Sequence, residues 1–390
     1  MRKLFRILAL LLVTVTVSSQ SVYNFSVVKE NPITSVKNQS STGTCWSFSG
    51  VGLLESELLR MGKGEFDLSD MYIVRKNYED KAKKYARLHG SLNFSPGGSF
   101  ADVVETINDY GIMPEESYRG LNYGSDTHNH GEIDKVLSGY MEAIIGSREL
   151  SPVWLKGYNA ILDTYFGEVP ESFEYEGVEY TPHSFADYLE LEQDNYISLT
   201  SFTHHPFYKP FPIEVPDNWR WANSYNLPIE ELMAVMENAV MKGYTIAWAS
   251  DVSELGFSRL GIAVVPDADA VENAGSDQER WIGQSTRERD ASLRARVGSE
   301  VLAEKTITQE MRQEAFNNYQ TTDDHGMQIY GISKDQKGNK YFMVKNSWGE
   351  TGPYSGLWYA SFPFVKYKTM SIILHKDAIP SDIAHKLELY

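Results

Sequence analysis

Apolar residues recur at helical spacing immediately after a glycine-containing loop, and this pattern predicts a helix that starts near Cys45. Gly62 and Gly64 follow the last apolar position and are predicted to end the helix. Its predicted apolar face consists of Trp46, Phe48, Val51, Leu54, Leu58 and Leu59. The only cysteine of the chain therefore stands at a predicted helix N-terminus.

Two further helices are predicted in the first third of the chain. Residues 68–88 have helical periodicity, with Ser69 or Asp67 as the N-cap. A turn at Pro96–Gly98 then precedes a third helix, which ends at Gly111.

The second half of the chain is richer in strand patterns. Residues 121–216 are mixed, and residues 229–242 form a strongly amphipathic helix pattern. The predicted strands are Tyr244–Ala249, His325–Ile332, Lys340–Ser347, Gly356–Ser361 and Met370–His375. We therefore expect an α+β protein with a helical lobe at 20–120, an insertion at 121–216 and a strand-rich lobe at 217–390. Residues 265–305 are polar and charged, and are predicted to be a surface insertion with helical character.

The first nineteen residues have the pattern of a secretory signal peptide. Arg2, Lys3 and Arg6 precede an apolar run from Ile7 to Val17, and cleavage is expected after Ser19. The run is too short to span a bilayer as a helix, and an N-terminal core helix is the alternative. We expect an exported protein, periplasmic or secreted, that does not bind a membrane once the signal is removed.

The composition is that of a folded globule, with 42% apolar and 13% aromatic residues. The formal net charge is −17. A surface this acidic repels phosphate backbones, so nucleic acid is not an expected partner.

The single cysteine, Cys45, cannot form an internal disulfide. A buried, inert cysteine is the common reading of a lone thiol. Exported proteins usually pair their cysteines, however, so a lone thiol in such a protein is more easily explained by chemistry than by packing.

Together with Cys45, three other residues provide the groups that a thiol hydrolase needs. His325 would accept the thiol proton and later protonate the leaving amine, and Asn346 would orient the imidazole. Gln39, six residues before the cysteine, would donate its amide to the oxyanion. Both the helix N-terminus and an imidazolium are expected to lower the pKa of the thiol. Taken singly, each residue also fits an ordinary structural role.

Two histidine motifs are candidates for metal ligands. The HNH of 128–130 and the HH of 204–205 lack the carboxylate and spacing of a closed metal site. They are predicted to be solvent-exposed loop residues, and neither a metal site nor a cofactor is expected.

The segment QSSTGTCWSFSG around Cys45 resembles the nucleophile segment of the papain-like cysteine peptidases. DDHGMQIYG resembles their histidine strand, and YFMVKNSWGETGPYSGLWY resembles their asparagine segment. The resemblance implies a two-lobed fold, with the nucleophile helix in one lobe and a β-barrel-like second lobe. It also implies that Trp348 covers the contact between histidine and asparagine. PGGSF resembles the turn whose backbone pairs with the substrate, so Gly97, Gly98 and Trp348 are candidate substrate-binding residues.

The spacing narrows the resemblance to one branch. The histidine follows the cysteine by 280 residues, whereas papain and the cathepsins have a gap of about 130–150. LSDMYIVRKN, GYTIAWASDVSE and TTDDHGMQIYGI resemble the bleomycin hydrolase and aminopeptidase C branch. That branch implies aminopeptidase action on oligopeptides, possible assembly as a homo-hexamer, and a C-terminal arm in each cleft.

The sequence therefore predicts an exported cysteine peptidase that acts on peptides through a thioester acyl-enzyme. Endopeptidase or broader oligopeptidase action is the nearest alternative, and a papain-fold protein that binds peptides without cleaving them is another. The sequence ends at Tyr390, short of the tryptophan-rich arm of the branch. From this alone, blocking the substrate N-terminus is expected to reduce cleavage only modestly, unless an insertion such as 265–305 fills the same space.

Overall fold

The computed structural model describes residues 22–268 and 285–389. The helices are α1 (Cys45–Arg60), α2 (Asp70–Arg87), α3 (Phe100–Tyr110), α4 (Ile133–Ile145), α5 (Trp154–Phe166), α6 (Pro182–Leu189), α7 (Ile229–Met241), α8 (Thr286–Arg296), α9 (Gln309–Asn317), α10 (Phe362–Lys368) and α11 (Ser381–Lys386). The strands are β1 (Ser26–Glu30), β2 (Phe173–Tyr175), β3 (Val178–Tyr180), β4 (Tyr196–Thr200), β5 (Pro210–Pro212), β6 (Asn223–Asn226), β7 (Ile246–Ser250), β8 (Phe257–Ser258), β9 (Ile262–Ala263), β10 (His325–Lys334), β11 (Lys340–Lys345), β12 (Leu357–Ser361) and β13 (Thr369–His375).

The helices and strands predicted from local patterns are present, with ends shifted by a few residues. Ser69 is the N-cap of α2, and its Oγ accepts a hydrogen bond from the Tyr72 backbone N–H at 3.0 Å. Gly111 ends α3 with φ of 76°, a conformation that glycine adopts at little steric cost. The α+β fold class is confirmed.

Most strands join one mixed sheet. Its order is β5-β6-β4-β13-β7-β10-β11-β12-β9-β8, and β1 pairs with β10 outside this path. Neighbouring strands are antiparallel except for the β4–β6 and β12–β9 pairs, which are parallel. The sheet forms the strand-rich lobe, and β10 lies near its middle with nine of its ten residues buried.

The apolar cores correct the expected lobe boundaries. The core of the helical lobe runs along the chain from Trp46 to Leu189, so α4, α5 and α6 pack into this lobe instead of forming a separate insertion. The strand-rich lobe contains β4 and β5 from the second part of the expected insertion. It also contains β1, which lies within the 20–120 range expected for the helical lobe. Lobe membership depends on which apolar faces meet, and periodicity does not report this.

The insertion expected at 265–305 lies partly outside the described residues, because residues 269–284 are not described. Its described part contains α8, as the polar, helical pattern predicted. Leu293, Val297 and Leu302 pack against Tyr23 and Tyr341 at the edge of the sheet. The expected signal peptide lies wholly outside the described residues. Among the helices that are described, none is long and apolar enough to cross a membrane.

The first helix, α1, is held between the two lobes. Its side chains are buried from Trp46 to Leu58, including Glu55 in the middle of the helix. The Glu55 carboxylate accepts hydrogen bonds from Thr34 Oγ1 at 2.6 Å, Lys37 Nζ at 2.8 Å and the Leu68 N–H at 2.9 Å. A buried carboxylate is tolerated when it is paired and hydrogen-bonded in this way.

Candidate active site

The packing of α1 on β10 brings two distant parts of the sequence together. The side-chain amide of Gln328 donates to the Gly52 carbonyl oxygen at 2.9 Å. Gly52 lies seven residues beyond Cys45, about 10 Å along a helix, and Gln328 lies three residues beyond His325, about 10 Å along a strand. The two elements run in the same direction, so Cys45 and His325 occupy the same end of the contact.

The histidine, asparagine and tryptophan form one arrangement. Nε2 of His325 lies 2.7 Å from Oδ1 of Asn346, and both residues are buried. Because Oδ1 can only accept, Nε2 carries the hydrogen, and Nδ1 is left as the basic nitrogen. The Trp348 ring stacks on the imidazole, with ring centroids 4.7 Å apart. Trp348 covers the imidazole and is not among the described residues that line the cavity at Cys45.

Cys45 is the first residue of α1, and part of its surface is exposed to the cavity. Thr44, the N-cap, makes no side-chain capping bond. Within the described residues, the Cys45 backbone N–H has no hydrogen-bond partner. This free donor at a helix N-terminus is available to an oxyanion.

Gln39 lies in the loop that leads into α1. Its Nε2 donates to the Thr42 carbonyl oxygen at 2.8 Å, and its Oε1 accepts from Ser347 Oγ at 2.5 Å. One hydrogen of the amide is therefore used within the loop, and the second is available for an oxyanion. The Ser347 contact ties the Gln39 loop to the segment that carries Asn346.

A cavity of about 260 Å³ opens at Cys45 between the lobes. Its lining includes His325 and Gly326 from one lobe and the Ser95–Phe100 loop from the other. At Gly98, a Cβ would lie 2.8 Å from Asp102 Oδ2 and 2.9 Å from the Trp46 ring, and a Cβ at Gly97 would collide with the Asp217 carboxylate. Both positions have room only for glycine, which leaves the loop backbone open to the cavity.

A buried lysine holds this loop in place. Lys81 on α2 is 2% exposed, and its Nζ donates to the carbonyl oxygens of Ser95, at 2.8 Å, and Gly97. Burial lowers the pKa of Lys81 to about 8. Local pattern gave no signal for this role, because a lysine within an amphipathic helix usually points to solvent.

Burial sets the ionisation of the catalytic pair. It raises the pKa of the Cys45 thiol to about 12, although the backbone N–H groups of Gly326 and Trp46 act to lower it. It lowers the pKa of His325 to about 4, although the bond to Asn346 acts to raise it. Desolvation therefore opposes the expected thiolate–imidazolium pair, because burial disfavours the charged form of both groups, whereas the helix N-terminus favours the thiolate.

Three carboxylates, those of Asp217, Asp323 and Asp324, line the cavity, and the sequence singled out none of them as functional. Asp217 Oδ1 accepts hydrogen bonds from Asn93 Nδ2 and Ser95 Oγ, both at 3.1 Å. Asp323 has no hydrogen bond or ion pair within the described part of the chain. Burial, with the nearby charge of Asp217, raises the pKa of Asp323 to about 7. Asp323 was visible in the DDHG motif, whereas no local feature marked Asp217.

The first histidine motif differs from the expected exposed loop, whereas His204 and His205 lie in a loop at the surface, as expected. His128 and His130 are buried, and both ring nitrogens of His130 are without a hydrogen-bond partner in the described structure. His204 and His205 meet a carboxylate, because Glu214 reaches both rings. The sequence alone does not reveal this carboxylate, because the intervening segment folds back only in the tertiary structure.

The chain is similar to known peptidases in sequence. Residues 22–148 match the papain family of cysteine proteases, and residues 300–389 match the Peptidase C1-like family. Aminopeptidase C of Listeria monocytogenes is 21% identical over 95% of this chain and 86% of its own. Aminopeptidase G of Lactobacillus delbrueckii is 21% identical over 90% and 83% respectively.

Among solved structures, PepW of Lactobacillus rhamnosis has a similar fold, with a TM-score of 0.70 and 17% sequence identity. The similarity covers 93% of this chain and 84% of PepW. Together with the cysteine, histidine and asparagine placed around one cleft, these matches identify the family. The chain belongs to the papain-like cysteine peptidases, in the aminopeptidase C branch.

Proposed function

We propose that this protein is an exported cysteine peptidase that removes residues from the N-terminus of oligopeptides through a thioester on Cys45. The observation that carries the chemistry is the shared cavity, into which both Cys45 and the Asn346-bound His325 open. The two aminopeptidase relatives support N-terminal action.

Because burial disfavours both charged forms, we infer a mechanism in which proton transfer accompanies attack. Cys45 Sγ bonds to the substrate carbonyl carbon while its proton passes to Nδ1 of His325. The resulting oxyanion accepts hydrogen bonds from the Cys45 N–H and the free amide hydrogen of Gln39. When the C–N bond breaks, His325 returns the proton to the leaving amine. Water then hydrolyses the thioester by the same steps in reverse order, which regenerates the thiol.

The carboxylates of Asp217 and Asp323 support recognition of a free amine. Both line the cavity, and Asp217 lies against Gly97, in the loop that would hold the substrate main chain by family resemblance. A cationic α-amine placed there would favour the ionised form of Asp323 and gain a charge-assisted hydrogen bond. This changes the expectation from the sequence alone: an N-acetyl group should reduce cleavage strongly.

Mass spectrometry of a defined peptide mixture tests both the chemistry and the specificity. Wild type should shorten peptides stepwise from the N-terminus, and Cys45→Ala should leave them intact. Internal cuts would establish an endopeptidase instead, and an intact mixture with wild type would establish a peptide-binding protein.

A matched pair of free and N-acetylated peptides then tests the carboxylates. Recognition of the amine predicts a loss in kcat/KM of about 10³ on acetylation, or about 4 kcal/mol. Asp323→Asn should reduce the difference between the two peptides, whereas Asp126→Asn, at an exposed loop position, should preserve it. Equal rates on both peptides would refute N-terminal recognition.

Export is supported by the basic, apolar and small-residue order of the first nineteen residues. N-terminal sequencing of protein from the native host should find a mature chain that starts near Gln20, outside the cytoplasm. Intact Met1 protein confined to the cytoplasm would contradict this.

A further inference from the structure

Two adjacent histidines and a glutamate converge on the surface of the strand-rich lobe. His204 Nε2 lies 3.0 Å from one carboxylate oxygen of Glu214, and His205 Nε2 lies 2.7 Å from the other. The three candidate ligand atoms all lie within 4.8 Å of one another. The three side chains are partly exposed, so an ion could reach them from solvent.

Aromatic packing fixes the orientation of both imidazoles. The His205 ring stacks on Phe211, with centroids 4.1 Å apart, and the His204 ring stacks on Phe316 at 5.4 Å. Their Nε2 atoms therefore point toward Glu214 without needing a large rearrangement. Surface histidines with free rotamers would lose more conformational entropy on binding an ion.

A buried asparagine holds the loop that carries the histidines. Asn226 is fully buried, and its Nδ2 donates to the carbonyl oxygens of Phe202 at 2.7 Å and His205 at 2.9 Å. Its Oδ1 accepts from the Phe202 N–H at 2.9 Å. The backbone on both sides of His204 is thus tied to the sheet, and the site is built on a fixed frame.

The second nitrogen of His204 also has a partner. Its Nδ1 lies 3.0 Å from Nε2 and 3.3 Å from Oε1 of the Gln313 side chain, and that Oε1 accepts from the Thr203 N–H at 2.5 Å. Without an ion, Nε2 of His204 donates to Glu214, and Nδ1 accepts from the Gln313 amide. A histidine that ligates a metal through Nε2 must carry its hydrogen on Nδ1, and Gln313 Oε1 is then the oxygen acceptor within reach.

We propose that His204, His205 and Glu214 bind a divalent transition-metal ion, with Zn²⁺ as the best match. Two imidazole nitrogens and one carboxylate are a typical three-ligand set for zinc, and water would complete the tetrahedron. Mg²⁺ and Ca²⁺ prefer all-oxygen ligands, so they fit less well. Without the ion, hydrogen bonds between the imidazoles and Glu214 hold the same three side chains together.

The residues of this site are close in sequence to residues that line the catalytic cleft. Glu214 precedes Asp217 by three residues, and Asp217 lines the cavity at Cys45. Phe211 and Phe316 also pack with Ala249, another residue that lines that cavity. A bound ion would tie the 204–214 loop together and stabilise this wall of the cleft. Its role is therefore structural, and the hydrolytic steps do not require it.

Isothermal titration with Zn²⁺ tests the proposal directly. The full chain is used with Cys45→Ala, because the thiol and His325 could otherwise bind zinc and hide the surface site. Glu214→Gln and His205→Asn each remove a ligand at a partly exposed position. His183→Ala is the matched control, because His183 is exposed and lies on α6, in the other lobe.

The parent should bind Zn²⁺ with one-to-one stoichiometry and gain thermal stability from it, while Mg²⁺ should give neither effect. Each ligand variant should weaken Zn²⁺ binding by about 10- to 100-fold or more, and His183→Ala should match the parent. Circular dichroism and the Tm without metal establish that each variant is folded. If both folded ligand variants bind zinc as tightly as the parent, or if the parent shows no saturable binding, the proposal is wrong.

Discussion

Replacing Asn346 with alanine tests how the structure activates His325. The wild-type Asn346 oxygen accepts the Nε2 hydrogen at 2.7 Å in a buried position, which keeps Nδ1 basic. Alanine leaves that N–H without an acceptor and allows the tautomer with its hydrogen on Nδ1, which cannot take the thiol proton. The imidazole itself remains, so the activity should fall without being abolished.

The structure sets the size of the expected loss. Leaving one buried neutral donor unpaired costs about 1–3 kcal/mol. If this free energy destabilises the reactive tautomer, which carries its hydrogen on Nε2, kcat/KM decreases by about 5- to 150-fold. His325→Ala should cost far more, because both proton transfers need the imidazole.

The assay is kcat/KM on one unblocked peptide, measured beside the Tm of each variant. Asn31→Ala is the matched control, since Asn31 and Asn346 are both 2% exposed and Asn31 donates to the carbonyl oxygens of Val240 and Tyr244, residues that do not line the cavity. The control should lose stability and keep its activity. An Asn346→Ala enzyme within twofold of wild type, or one less active than His325→Ala, would refute the orienting role.

Three further predictions follow from the cleft and the buried histidines. Because burial disfavours the thiolate, we expect no ultraviolet thiolate absorbance from Cys45 at pH 7 in a difference spectrum against Cys45→Ala, and a clear thiolate band would establish an ion pair. Gly97→Ala should cost about 1–3 kcal/mol of stability through collision with Asp217, whereas Gly139→Ala on α4, with open space around it, should cost nothing. Burial lowers the pKa of His128 to about 4 and of His130 to about 3, so the unfolded chain binds more protons as the pH falls below about 6.5. Urea unfolding should therefore show stability lost between about pH 6.5 and 4, and a folded His130→Phe variant with the same pH slope as wild type would contradict this.

The sequence by itself determined the parts that depend on local order. Helical periodicity with a cysteine at its start located α1, and Ser69 and Gly111 marked helix ends that the structure reproduces. The motifs around Cys45 and His325 were enough to indicate the family, because each is a short run of residues with its chemistry in place.

Only the tertiary structure decided how those parts act on one another. The desolvation that disfavours the charged forms of Cys45 and His325 depends on everything packed around them and not on their neighbours in sequence. The position of Asp217 against Gly97, and of Glu214 against His204, likewise depends on how the chain folds back after β4. Such contacts join residues that are not spaced by the repeat of a helix or a strand, so no local pattern could reveal them.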